Sequence, residues 1–324
     1  MKNEKLGIID KDNIEEFYTF ITKRQHIWYN RFVFQMSRPS WTTDPILKKY
    51  KFTNVYRILD MGTQYLLDNI LHKGSNLDVL FNIIIYRIFN KIDTYKIIGF
   101  TKIDDWDEDK VLLKLKKYKE KGNKIFTGAY MVNAQLHRGT NTTAGKYAKV
   151  ITTFTYNLHI MYYKVVNYKY GMERTHELFR HVYGIGDFLA YQIILDGMYG
   201  GVFPFKEDDW SIAGEGAKRG ILYIFPDCDE DDPLRRGEKY LLAMKYLHQN
   251  QIFYFDVFKL EFKKFGGMEI SLSNMQNCLC EYSKYKKAKL GTGRPRQKFR
   301  PSTKIGVGKA LQSLLMSKEL EQRA

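Results

Sequence analysis

Two adjacent carboxylates, Asp208 and Asp209 in "FKEDDW", are the residues of this 324-residue chain best placed to act as a general base. They follow Gly186 by 22 and 23 positions. Gly184, Ile185 and Gly186 lie within "HELFRHVYGIGDFLAYQIILDGMYG" (176–200). An amphipathic helix is expected to end near Tyr183 and a second to start at Asp187, with Ala190 small enough for close packing. Glycines allow a sharp turn and a close approach, and the amides at the next helix N-terminus suit a phosphate. This is the pattern of a helix–hairpin–helix, and the three turn residues are candidate DNA contacts. The competing assignment for Asp208 and Asp209 is a pair of helix N-caps.

The charge balance agrees with an anionic partner. Lys plus Arg number 52 against 36 Asp plus Glu, a formal net charge of +16. Such a surplus points to a polyanion, nucleic acid first among them. From Glu281 to Lys304 there are nine basic residues and one acid, interleaved with Tyr282, Tyr285 and Phe299. Lys284, Lys286, Lys287 and Lys289 are therefore candidate DNA contacts, since cations neutralise phosphates and aromatics stack on bases.

Other chemistries find little material. Three cysteines, Cys228, Cys278 and Cys280, make neither a disulfide framework nor a four-thiolate site, and a reducing compartment is expected. His176 and His181 are five apart, off the spacing of paired helical ligands. The acidic run "CDEDD" (228–232) reads as a solvated loop before a cation site. "GTNTTAGKY" (139–147) has five residues between its glycines and Tyr147 where a P-loop needs Ser or Thr, so no P-loop kinase is expected. The apolar run 79–89 is too short to span a bilayer and contains Arg87, and the N-terminus lacks the apolar stretch of a signal peptide. An intracellular protein is expected.

The elements that must hold these residues are mostly helical. Apolar residues make up 44% and aromatics 15%, enough for a sizeable core. Helical spacing recurs over 12–36, 53–71, 76–90, 105–122, 173–183, 232–254 and 271–290. The segment 76–90 is apolar on most sides and is expected to be central. Residues 123–149 read mostly as loop. The organisation is a helical body over 1–290, with the hairpin at 173–200 and room for two lobes around a cleft, then a basic tail over 291–324.

The hairpin and the acid after it resemble the helix–hairpin–helix DNA glycosylase superfamily. Two flanking stretches, "RPSWTTDPILKKYKFTNVYRILD" (38–60) and "SLSNMQNCLCEYSKYKKAKLGTGRPR" (271–296), resemble the signatures of a narrower family. That family is the 5-hydroxymethyldeoxyuridine (5-hmdU) DNA kinase helical domain, or α-glutamyl/putrescinyl thymine pyrophosphorylase (amino acid:DNA transferase), of phages and fungi. The resemblance runs from about residue 12 to 300. Ser40 stands between Pro39 and Trp41, where relatives often join Pro to Trp directly.

The resemblance implies a glycosylase-like helical domain that hypermodifies thymine in bacteriophage DNA. An amine or amino acid would displace pyrophosphate from a flipped 5-hydroxymethyluracil base in double-stranded DNA, after a separate 5-hmdU DNA kinase has acted. Asp209 or Asp208 would be the base. Arg38, Trp41, Lys51 and Arg57 from the first signature, and Arg294 and Arg296 from the second, would hold the pyrophosphorylated substrate. No resident cofactor or metal is implied, although magnesium could accompany a pyrophosphate. A monofunctional glycosylase and a non-catalytic DNA-binding module stand as alternatives. A Schiff-base lyase is disfavoured, because no lysine occurs between Asp187 and Leu195.

Overall fold

The computed structural model describes residues 2–126, 143–229, 236–293, 295, 297–300, 308–309 and 311–312. Among these residues the fold is mainly α, as expected. In chain order the helices are α1 (Lys11–Phe32), α2 (Pro45–Lys49), α3 (Met61–Asn69), α4 (Asn76–Phe89), α5 (Ile92–Ile98), α6 (Glu108–Glu120), α7 (Thr143–Asn167), α8 (Met172–Arg180), α9 (Asp187–Tyr199), α10 (Glu215–Ile224), α11 (Arg236–Gln249), α12 (Gln251–Val257) and α13 (Leu272–Lys289). The described strands are a two-residue pair, β1 (Lys2–Asn3) against β2 (Gly7–Ile8). The chain divides into two compact units, Met1–Asp60 with Glu207–Ala324, and Met61–Lys206.

In the second unit α4 is the buried axis, as its composition requires. Every residue from Val79 to Phe89 is buried. Ser75 caps the helix start by accepting the Asp78 N–H, and Asn90 closes it in the left-handed region at φ 46°. Arg87 is tolerated in this core because Asp196 of α9 meets its guanidinium with both oxygens. Removing either partner would strand a buried charge, at a cost of about 3–5 kcal/mol.

In the first unit the tightest packing joins α10 to α13. A Cβ on Gly220 would lie 2.2 Å from the Leu279 carbonyl oxygen, and one on Gly216 would lie 2.3 Å from Cys280 Sγ. The small residues of "SIAGEGAKRGI" thus let two helix backbones approach. Cys278 is buried and Cys280 half-buried, both as free thiols. Around this contact lies an aromatic core in which Tyr18 stacks on Tyr254 at 5.2 Å and donates its hydroxyl to the Leu247 carbonyl at 2.7 Å.

Boundaries depart from the sequence pattern where local contacts intervene. The 53–71 segment is not one helix: the Asp60 carboxylate accepts from the Asn54 backbone and side chain, holding 57–59 as a single 3-10 turn before α3. The 232–254 segment breaks at Asn250 into α11 and α12.

Candidate functional site

Asp208 sits at the N-terminus of α13. Its Oδ1 accepts the Leu272 N–H at 2.7 Å, and the Glu207 carbonyl accepts the Ser273 N–H at 3.2 Å. The N-cap of α13 is Ser271, whose side chain accepts the Asn274 N–H, and Asp208 meets the next helical N–H from a segment distant in sequence. Asn274 adds a double tie: its Oδ1 accepts the Arg57 N–H at 2.8 Å and its Nδ2 donates to Glu207 Oε2 at 3.2 Å. Residues 57–60 and 207–209 are where the chain leaves and rejoins the first unit, so one side chain holds both crossings.

His248, near the end of α11, was not singled out by sequence, yet its Nε2 lies 3.6 Å from Asp208 Oδ1. Its Nδ1 is 2.9 Å from the Ile270 carbonyl and 3.2 Å from the Gln251 amide nitrogen, so it finds a partner in either tautomer. Buried Gln251 fixes this arrangement. Its amide donates to the His248 and Ile270 carbonyls at 2.8 and 3.0 Å, and its Oε1 accepts the Ile270 N–H at 2.9 Å. The Asp208 side chain is 55% exposed and that of His248 23%, so both are open to a ligand. Asp209 is exposed beside them.

The two signature stretches are neighbours in space. Thr53 donates its N–H to Glu281, Asn277 donates to Thr53 Oγ1, and Tyr285 donates to Asp44. Arg24 ties the first stretch from inside through the Thr53 and Phe52 carbonyls and Asn54 Oδ1. Burial raises the Asp60 carboxyl above its ordinary range, against the opposing pull of the Asn54 hydrogen bond, Arg24 and Arg57. Most of the resemblance is therefore a packing seam along α13.

Of the candidate phosphate ligands, Arg38 and Lys51 are exposed, while Arg57 is half-buried. Arg38 lies over the Phe299 ring at 5.9 Å. Trp41 donates its indole N–H to the Met36 carbonyl and meets Phe299 edge-on at 6.0 Å. Residues 297–299 pair antiparallel with 49–51 through a Tyr50–Lys298 bridge and bonds from Lys51 N to Gln297 O and Phe299 N to Lys49 O, each 3.0 Å. Arg294 and Arg296 lie outside the described residues.

Three of the four candidate DNA-contacting lysines are engaged within the chain. Lys284 pairs with Glu281 at 2.6 Å, and Lys286 and Lys289 both reach Glu16, with Lys286 at 2.5 Å. Burial opposes charge on Glu16, but hydrogen bonds from Lys286, Lys289 and Tyr282 outweigh it and hold the carboxyl below its ordinary range. Lys287 is half-buried and has no charged partner among the described residues.

The hairpin belongs to the second unit. α8 ends at Arg180, three residues before the expected Tyr183, and α9 begins at the expected Asp187. Gly184 has φ +88°, a conformation that favours glycine. Ile185 is 6% exposed and anchors the turn, whereas a Cβ on Gly186 would meet nothing within 4 Å. Gly186 supplies no side-chain cap to α9. His176 braces the corner by donating Nε2–H to the Asp187 carbonyl at 2.9 Å, and Arg180 pairs with the Asp187 carboxylate at 2.9 Å. Burial lowers the His176 pKa despite the nearby carboxylate. Tyr183 and Phe188 flank the turn, each about half exposed.

Among the described residues no group of three or more His, Cys, Asp or Glu is placed to hold a metal, and no helix is long and apolar enough to cross a membrane. Most of "CDEDD", and residues 139–142 of "GTNTTAGKY", lie outside the described residues.

Comparison with known proteins bears on this geometry. The family described as 5-hmdU DNA kinase, helical domain, matches residues 11–294. The 5-hmdU DNA kinase of Bacillus phage SP10 is 30% identical over 298 residues, covering 83% of this chain and 44% of that protein. The chain thus spans less than half the length of this relative. No solved structure matches significantly.

Proposed function

The chain belongs to the 5-hmdU DNA kinase helical-domain family, and from that premise we propose that it transfers an amine or amino acid onto a pyrophosphorylated 5-hydroxymethyluracil base in DNA. A kinase activity, on a separate polypeptide or another part of a longer chain, supplies the activated base. The observation that carries this reading is the facing of Asp208 Oδ1 and His248 Nε2 at 3.6 Å. In the tautomer whose Nδ1–H points to the Ile270 carbonyl, His248 presents a lone pair at Nε2, so two acceptors converge on one point. A protonated amine satisfies both.

The reaction then needs base, position and charge stabilisation. The ammonium gives one proton to His248 Nε2, and the imidazolium is stabilised by Asp208. The freed lone pair forms the nitrogen–carbon bond at the exocyclic methylene. The carbon–oxygen bond breaks, its electrons leaving on pyrophosphate, and the product amine loses its second proton to water. The target carbon lies inside a duplex, so the base is flipped out first. The hairpin, with the open face of Gly186 beside the start of α9, supports a grip on the backbone.

The test is pyrophosphate release. Release that requires both pyrophosphorylated DNA and an amine supports the reading, and release without amine contradicts it. A second reading, a DNA-binding module serving a 5-hmdU DNA kinase, draws support from the relative's greater length. It predicts DNA binding with no release.

A further inference from the structure

The cations of the basic C-terminal region divide into two groups. Those on α13 are largely neutralised by Glu16 and Glu281. Those where residues 297–300 lie against 49–51 are not: Lys49, Lys51, Lys298 and Arg300 are exposed and have no acidic partner among the described residues. Arg38 extends the group, held near it by the Phe299 ring and carbonyl. The Tyr50–Lys298 bridge holds these charges near one another, with Lys49 at the last residue of α2 and Lys51, Lys298 and Arg300 on the irregular segments beside the bridge. An unscreened cluster of one sign is unfavourable by itself, because each charge repels the next. A polyanion removes that cost and releases its own counterions.

We infer that this two-segment strip is a DNA-backbone contact of the first unit. The inference rests on the DNA reading proposed above but not on amine transfer. It moves the phosphate contacts of this region away from Lys284, Lys286 and Lys289, which a phosphate could engage only by breaking ion pairs with Glu281 or Glu16. The strip carries no base-reading geometry, so it binds sequence-independently. The Trp41–Phe299 edge contact braces the outer segment against the body.

The test compares two triple variants of equal charge change. K49Q/K51Q/K298Q alters the strip. K116Q/K117Q/K119Q alters exposed lysines on α6 of the second unit. Affinity for a duplex of mixed sequence is measured from 50 to 300 mM salt, with thermal melting as the fold check. Each phosphate contact contributes about 0.9 to the log–log salt slope. The strip variant is expected to lose two to three units of slope and at least tenfold in affinity at 150 mM salt, while the α6 variant keeps the wild-type slope. Equal losses in both variants, or an unchanged strip variant, overturn the inference and leave the DNA reading standing. A wild-type protein that ignores duplex but binds vesicles of acidic phospholipid overturns both.

Discussion

Asp208 and His248 stand 3.6 Å apart at the N-terminus of α13, each fixed by backbone: Asp208 by the Leu272 N–H and His248 by the Ile270 carbonyl. If this pair is the base, Asp208→Asn retains an oxygen for the Leu272 amide and leaves melting and DNA affinity near wild type. Turnover falls roughly 100-fold or more, in the range of general-base deletions. His248→Gln behaves likewise. Single-turnover product formation alongside DNA binding checks both. Full activity in both variants moves the base elsewhere, with Asp209 the next candidate.

The hairpin glycines separate fold from binding. Ala at Gly184 is strained at φ +88°, by about 1 kcal/mol or more. Ala at Gly186 meets nothing inside the protein. Gly186→Ala therefore keeps the melting temperature and weakens duplex binding several-fold, whereas Gly184→Ala lowers both. Fluorescence anisotropy beside a thermal melt distinguishes the two.

Gly220 sets the separation of α10 and α13. With the Leu279 carbonyl 2.2 Å from the position of a Cβ, Gly220→Ala forces backbone movement. The expected loss is about 1–3 kcal/mol. Gly237→Ala, where the Cβ meets nothing within 4 Å, leaves stability unchanged or slightly raised. Denaturant unfolding reads both; equal stability of the two variants contradicts the close-packing account.

Glu16 links stability to pH. Its carboxyl is held below the ordinary range in the folded chain. A depressed acid contributes stability above its unfolded pKa of about 4.3 and loses it as pH falls through the folded value. Glu16→Gln is thus expected to melt below wild type at pH 7, with the gap closing below about pH 4. A constant gap across that range contradicts the linkage.

How much of this was legible in the sequence depends on how local the cause was. The α9 start at Asp187 and the central burial of α4 follow from periodicity and turn residues, and both stand as expected. The break at Asn250 and the 3-10 turn at 57–59 depend on contacts that no helical spacing encodes. Lys286 and Lys289 look free in sequence because their partner Glu16 lies some 270 residues upstream. His248 looks isolated for the same reason: only the packing of α11 on α13 brings it to Asp208. Asp208 itself was visible as a chemical candidate, but its bond to the Leu272 N–H at the start of α13 spans 64 residues and is encoded by no local spacing.

The most direct test of the central claim is nucleoside mass spectrometry of DNA carrying pyrophosphorylated 5-hydroxymethyluracil, incubated with the protein and a mixture of amines and amino acids. The account predicts a new thymidine bearing nitrogen at the exocyclic methylene, formed with loss of pyrophosphate and formed roughly 100-fold more slowly with Asp208→Asn. Abasic sites in place of that nucleoside, or unaltered substrate under conditions where the duplex is bound, would contradict it.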